Sequence, residues 1–185
     1  MRRFVHLVQL HLPSAAGVRV LLSAGRISTV TVTLLTVAAA SVAAAGDLPD
    51  LRKTPGKTRV ESVGVICHTR WGIDARHATE AMKREAFARY GFTGNDDDPK
   101  CVPDARGRHC EIDHLISREL GGADDVDNLW PQPYGTSPWN AQRKDRLENR
   151  LHHELCDTHT ITLRTARQAL LHDWRKAYRH YFGEP

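Results

Sequence analysis

Two side chains suited to hydrolytic chemistry stand next to each other in the sequence, at Asp113 and His114. A histidine titrates near neutral pH and can take a proton from water, so His114 is a candidate general base. Asp113 offers a carboxylate oxygen, and Asn140 offers an amide oxygen further along the chain. Both are hard ligands of the kind that Mg²⁺ and Mn²⁺ prefer. These residue types suit metal-assisted hydrolysis, with His114 to activate water and Asp113 and Asn140 as the metal ligands.

The residues around this pair predict a hairpin followed by a helix. The segment 111–116 has strand character, a Gly-Gly pair permits a reversal, and 128–130 can return as the second strand. A helix is expected to begin near Ser137, with this serine as its N-cap and a proline in its first position. Asn140 would then lie in the first turn and face the hairpin, where the helix dipole also favours a phosphate.

In chain order, Asp113-His114, Asn128 and Asn140 resemble the HNH motif of nucleases that are built on a ββα-metal finger. The resemblance covers about residues 108–152. It implies that Asp113 and Asn140 hold a divalent metal, that His114 is the general base, and that Asn128 pins the loop that orients His114. The implied protein is a secreted endonuclease that acts on DNA, with RNA as the alternative.

The resemblance also implies a fold of the α+β class, in which a ββα-metal (HNH) finger is flanked by helices and stapled by disulfides. Basic residues near the motif are candidates for phosphate contacts: Arg118, Arg143, Lys144 and Arg146. For Lys144 a solvated surface position is the alternative. Glu111 lies two residues before Asp113 on the same strand face, and it is either a further metal partner or a plain surface residue.

Residues 1–45 are typical of a secretory signal peptide, with arginines first, an apolar run next and small residues before Gly46. Cleavage after Ala45 would release a secreted or periplasmic protein without stable membrane insertion. A membrane anchor is the alternative, but residues 27–45 are rich in Thr, Ser and Ala and poor in Leu, which is weak for spanning.

The basic balance of the chain belongs to this leader. The four arginines of residues 1–45 account for the difference between 26 Lys and Arg and 22 Asp and Glu. Global charge therefore gives no support for a nucleic-acid partner. From Asn140 onwards, however, nine basic residues stand against six acidic ones, so a local basic face remains open.

After the leader, the sequence predicts a flexible linker over residues 46–62 and one domain over 63–185, whose ββα core spans about 108–156. The apolar run 63–67 is expected as an edge strand or a packed extended segment. Further helices are expected at Ala78–Tyr90 and Leu163–Tyr181, and Leu147, Leu151 and Leu155 predict one buried stripe on the helix of the core.

The four cysteines allow three disulfide pairings, and export makes their even number a disulfide signal. Cys101 and Cys110 bracket a short loop, and Cys67 and Cys156 would then form the second bridge. A zinc site is the competing interpretation, but the chain has no paired Cys-x-x-Cys knuckle.

A function of another class also fits these residues. A non-catalytic nucleic-acid-binding or envelope module could keep the finger as a scaffold, and it would hold DNA without cutting it. An enzyme acting on a different phosphoester is a third hypothesis.

Overall fold

The computed structural model describes residues 46–59, 61–70, 78–93 and 98–185, which belong to one compact unit. The predicted signal peptide lies outside these residues and stays a prediction. In chain order the elements are α1 (Val63–His68), α2 (Glu80–Arg89), β1 (Cys110–His114), β2 (Leu129–Pro133), α3 (Ala141–Cys156) and α4 (Leu163–Phe182). Two 3₁₀ turns, Arg118–Leu120 and Val126–Asn128, lie between the strands. Within the described part of the chain, no helix is long and apolar enough to cross a membrane.

An antiparallel hairpin of β1 and β2 forms the only sheet of the described residues. Its register places Glu111 opposite Gln132 and Asp113 opposite Trp130. Because side chains alternate along a strand, these four share one face of the hairpin and Ile112 lies on the other. The fold is thus of the predicted α+β class, with one small sheet among helices.

Two hydrophobic clusters enclose the hairpin. One joins α1, α3 and α4, and the other joins α2 to the hairpin face of Ile112. Leu147, Leu151 and Leu155 are buried as the four-residue spacing predicts. Against this stripe, the ring of Trp139 meets that of Trp174 of α4 edge-to-face, with 5.5 Å between centroids. The helices therefore form the main core, and the hairpin lies at its edge.

The run Val63–Cys67 is helical, so the prediction of an extended segment is wrong. Ser62 caps α1 by accepting a hydrogen bond from the N–H of Val65. Ile66 is buried, whereas Val63 and Val65 are exposed. A short apolar run does not by itself distinguish a strand from a helix, and here the cap and one buried residue favour the helix.

The helix of the core begins at Ala141, later than predicted. Asn140 is its N-cap, and the side-chain oxygen of Asn140 accepts from the N–H of Arg143 at 3.1 Å. The Ser137–Pro138 peptide bond, expected to open the helix, is cis and precedes it. Asn and Ser are comparable as N-caps, so the sequence offered two starts and the later one is used.

The segment 46–62 packs on the domain in its described part and is not a flexible linker. The indole Nε1 of Trp174 donates to the carbonyl of Asp47 at 2.9 Å, and the N–H of Gly56 donates to the carbonyl of Asp127 at 2.8 Å. Thr54 is fully buried and donates to the carbonyl of Leu129. These contacts hold the segment on the domain although the segment contains few apolar residues.

Both predicted disulfides are present. Cys67–Cys156 joins the end of α1 to the end of α3, and Cys101–Cys110 closes a loop at the start of β1. No cysteine among the described residues is free. Such bridges are typical of proteins that fold outside the reducing cytosol.

The longer bridge should contribute more to stability. Replacing Cys67 and Cys156 by serine is expected to lower the free energy of unfolding by about 4–5 kcal/mol, because it frees the larger loop in the unfolded chain. The Cys101→Ser/Cys110→Ser pair should cost about 2–3 kcal/mol by the same reasoning. Denaturant unfolding without reductant measures both. A larger loss from the short loop would contradict this account.

Candidate functional site

Asn128 holds the loop that connects the two strands. It is fully buried, and its Oδ1 accepts from the N–H of Ile116 at 2.9 Å. Its Nδ2 donates to the carbonyls of Ile116 and Ala123 at 3.0 Å and 3.1 Å. One side chain thus ties the residues just after β1 to the far side of the loop.

The Gly-Gly turn lets the loop close on itself. A Cβ on Gly122 would lie 1.8 Å from the carbonyl oxygen of Ile116 and 2.9 Å from Asn128 Nδ2, so no larger residue fits. Gly121 ends the first 3₁₀ turn with φ of +78°, a left-handed conformation that favours glycine. Both glycines therefore permit the close turn that holds the residues following His114 in place.

His114, the last residue of β1, is paired with a carboxylate that sequence reasoning missed. Its Nε2 lies 2.9 Å from Asp124 Oδ1, and the two side chains are 3% and 8% exposed. Arg118 Nε lies 3.3 Å from the same carboxylate oxygen. Arg118 was predicted to contact phosphate, but here it contributes to the His114–Asp124 pair. In the sequence, Asp124 belongs to a short acidic stretch after the Gly-Gly pair, and this stretch is the signal that could have indicated it.

Lys144 is the centre of a buried charge network. It is fully buried, and its Nζ donates to Asp113 Oδ2 at 2.5 Å, to the carbonyl of His114 at 2.7 Å, and to Glu148. The predicted role of Lys144 as a surface contact for phosphate is therefore wrong. Its ammonium group instead balances the charge of Asp113 and fixes the orientation of that carboxylate.

Burial and charge act against each other in this network. Burial opposes the charged form of Lys144, but attraction to Asp113 and Glu148 outweighs it and raises the pKa of Lys144. Burial raises the pKa of Glu148 well above its ordinary value despite the nearby ammonium. Burial, with a smaller contribution from the Asp113 carboxylate, raises the pKa of Glu111 to about 7. Burial also raises the pKa of Glu119 to about 7.

Asn140 was predicted to be a metal ligand, but in the structure it caps α3. Its amide oxygen already accepts the hydrogen bond from Arg143 that begins α3. Among the described residues, no group of three His, Cys, Asp or Glu side chains is arranged to hold a metal ion. Buried oxygens without a partner do occur on the Asp113 face of the hairpin, at Glu111 and Gln132. These two oxygens are ligands of the kind that a hard divalent cation binds, and two N–H groups of the same face, Gln132 Nε2 and Trp130 Nε1, are also buried without a partner among the described residues.

Arginines of α3 and α4 lie over aromatic rings at one side of the molecule. The guanidinium-to-centroid distances are 5.6 Å for Arg143 over Tyr178, 4.2 Å for Arg146 over Phe182, 5.7 Å for Arg150 over Tyr181 and 4.8 Å for Arg179 over Trp139. Arg143 and Arg146 also donate to the hydroxyl of Tyr178. We call these four arginines the arginine row. It includes two of the predicted phosphate contacts, Arg143 and Arg146.

The chain matches no protein-family model, no curated protein and no solved structure.

Replacing Lys144 by methionine should destabilise the fold strongly. The change leaves the buried carboxylates of Asp113 and Glu148 without their cation, which typically costs about 3–5 kcal/mol. The control is Lys83→Met on α2, which removes an exposed ion pair with Glu80 and should cost at most about 1 kcal/mol. Denaturant unfolding at neutral pH compares the two. Equal losses would show that the Lys144 network is not a buried charge cluster.

Glu119 should make the protein less stable as the pH rises. Its folded pKa of about 7 lies above its ordinary value of 4.5, so the folded state binds more protons between these values. Its contribution to stability is full below about pH 4.5 and is lost as the pH passes 7. Glu119→Gln should reduce the loss of stability between about pH 5 and about pH 8.

The control is Glu80→Gln, since Lys83 lowers the pKa of the exposed Glu80 carboxyl. Removing that carboxyl should not reduce the loss of stability at high pH. Unfolding midpoints of the wild type and both variants at the two pH values make the comparison. An unchanged pH dependence in Glu119→Gln would contradict the raised pKa of the half-buried Glu119 carboxyl.

Proposed function

We propose that the protein is a metal-dependent endonuclease of the HNH type, which hydrolyses phosphodiester bonds of DNA, with RNA as the alternative substrate. The observation that carries the proposal is the His114–Asp124 pair, which directly follows Asp113 in the chain and precedes the loop that Asn128 holds. A histidine with a carboxylate partner is thus next in sequence to a charge-balanced carboxylate at the end of one strand.

In the proposed reaction, His114 takes a proton from the attacking water. A ring that donates its Nε2–H to Asp124 carries its lone pair on Nδ1, which is the nitrogen that would accept the proton. Asp124 then stabilises the imidazolium and keeps the ring in place. Asn128 and the Gly-Gly turn keep the loop after His114 in one conformation, so the ring has little freedom to rotate away.

A divalent cation, when bound, neutralises charge on the phosphate and on the leaving oxygen. Asp113 is the residue best placed to hold it, because its carboxylate is fixed by Lys144 on one oxygen, Oδ2. Asn140 was predicted as the second ligand, but its amide oxygen already accepts the hydrogen bond that caps α3. Lys144 thus positions Asp113 and does not itself reach the substrate.

The arginine row supports a polyanionic substrate. A guanidinium that lies on an aromatic ring is already ordered, so it loses less side-chain entropy when it binds a phosphate. The row lies on α3 and α4, where the sequence is locally basic, although the chain beyond the leader has no net basic charge. Contacts of this kind recognise the phosphate backbone and not the bases, which favours a non-specific nuclease.

A second candidate function is a non-catalytic nucleic-acid-binding or envelope module. The observation in its favour is the burial of the central pair, since Asp113 and His114 are 6% and 3% exposed and both already have partners within the protein. In such a module the network would be purely structural, and the arginine row would hold nucleic acid without cutting.

Incubation with supercoiled plasmid tests the proposal. The oxidised, chelator-stripped protein should nick the plasmid only with Mg²⁺ or Mn²⁺, and His114→Ala should reduce the rate at least about 100-fold because the general base is lost. The matched control is His153→Ala, which removes a half-exposed histidine of α3 that is bonded to Asp157. This control should cut at the wild-type rate.

Three results would change the interpretation. Equal nicking by wild type and His114→Ala would show that His114 is not the base. Plasmid that is retained but never nicked, with or without chelator, would favour the binding module. Loss of activity in both histidine variants would indicate damage to the fold, which circular dichroism would detect.

A further inference from the structure

A buried glutamine without a hydrogen-bond partner lies on the same hairpin face as Asp113. Gln132 is fully buried, and within the described part of the chain neither its Oε1 nor its Nε2 has a partner. Buried polar groups are almost always hydrogen-bonded, because an unsatisfied amide in the interior is costly. The position of Gln132 therefore calls for a ligand that is polar and small.

Two carboxylates lie beside this amide. Glu111 is directly opposite Gln132 in the register, where Cβ atoms are typically about 5 Å apart, and Asp113 follows on the same face. Glu111 Oε2 accepts from the hydroxyl of Tyr134, but Glu111 Oε1 is buried and has no partner. Glu111 Oε1 and Gln132 Oε1 thus belong to paired residues on one face of the hairpin, and neither has a partner among the described residues.

Two cations, Lys144 and Arg108, attract the Glu111 carboxylate, but neither is hydrogen-bonded to it among the described residues. Lys144 binds Asp113 on Oδ2 and the carboxylate of Glu148, and no bond joins it to Glu111. Arg108 lies over the ring of Tyr134, but its guanidinium is bonded to Asp104. A buried water would satisfy some of the hydrogen bonds but would balance no charge. A cation would bind the unpartnered oxygens of Glu111 and Gln132 and balance carboxylate charge, whereas Gln132 Nε2 is a donor and would take a water as its acceptor.

We propose that Glu111, Asp113 and Gln132 form a binding site for a divalent cation, Mg²⁺ or Mn²⁺, with Gln132 Oε1 as the amide ligand. The inference rests on the proposed function in that this cation is the one the hydrolysis would use. It changes the ligand set, because Gln132 takes the place that the motif assigns to Asn140. The reason is that the Asn140 oxygen caps α3, whereas the Gln132 oxygen has no partner among the described residues.

Titration with Mn²⁺ alone tests the site without measuring activity. The full chain, oxidised and stripped with chelator, is titrated while the free ion is followed by electron paramagnetic resonance. Gln132→Met removes both polar atoms at similar volume and should weaken Mn²⁺ binding about tenfold or more. Gln132→Glu adds a carboxylate and should tighten binding, which gives a test in the opposite direction.

Asn140→Ser is the matched control, because serine preserves the cap of α3 while removing the amide. We expect Mn²⁺ affinity in this variant to equal that of the wild type. If Asn140→Ser weakens binding and Gln132→Met does not, the motif's own ligand pair is correct and the inference is wrong. Absence of any Mn²⁺ binding by the folded wild type would also overturn it.

Plasmid nicking on the same samples separates the two proposals. Binding that depends on Gln132, in a protein that never cuts, would keep the cation site and remove the nuclease. If the protein cuts only with metal but both Gln132 variants bind Mn²⁺ with wild-type affinity, the nuclease proposal stands and the proposed cation site is wrong. If Gln132→Met does not fold, Gln132→Glu alone decides, and failure of that variant to bind more tightly counts against the site.

Discussion

The arrangement of the site depends on one buried ammonium group. Lys144 Nζ contacts the side chain of Asp113, the backbone carbonyl of His114 and the side chain of Glu148, and it thereby joins α3 to the end of β1. Placing these charges in the interior is costly, and a well-packed apolar cluster of the same volume would often be as stable. The ion network instead positions α3 against β1. An ammonium that is bonded to two carboxylates and a carbonyl restricts how the helix and the strand can be aligned.

The same helix is fixed at both ends by different means. Lys144 and the Asn140 cap hold the N-terminal part of α3 to the hairpin, while the Cys67–Cys156 bridge ties its last residue to α1. Between these ends the leucine stripe packs against α4. Through these contacts α3 links the helical core to the residues beside His114, while α2 packs on the Ile112 face of the hairpin. A two-stranded sheet alone would be marginally stable in water.

Sequence reasoning found what local patterns encode and missed what depends on contacts between distant segments. The leucine stripe follows from helical periodicity, and the pairing of Cys101 with Cys110 follows from a short loop. The burial of Lys144 is different, because nothing near it in sequence distinguishes a buried lysine from a solvated one, and only packing against Asp113 reveals it. Asp124 was missed for the same reason. The start of α3 was misplaced because Ser137 and Asn140 are both good caps, and local sequence does not choose between them.

The two amides near the site illustrate how the demands of a helix and of a ligand compete. A helix N-terminus leaves N–H groups unsatisfied, and Asn140 satisfies one of them with the oxygen that a motif-based assignment would give to a metal. Gln132 has the reverse situation, with a buried amide that the described residues leave unsatisfied. If an amide oxygen is needed beside Asp113, the one on the rigid strand costs nothing elsewhere, whereas withdrawing the one on Asn140 would weaken the helix that carries Lys144. On this argument the strand residue, and not the helix cap, is the better ligand.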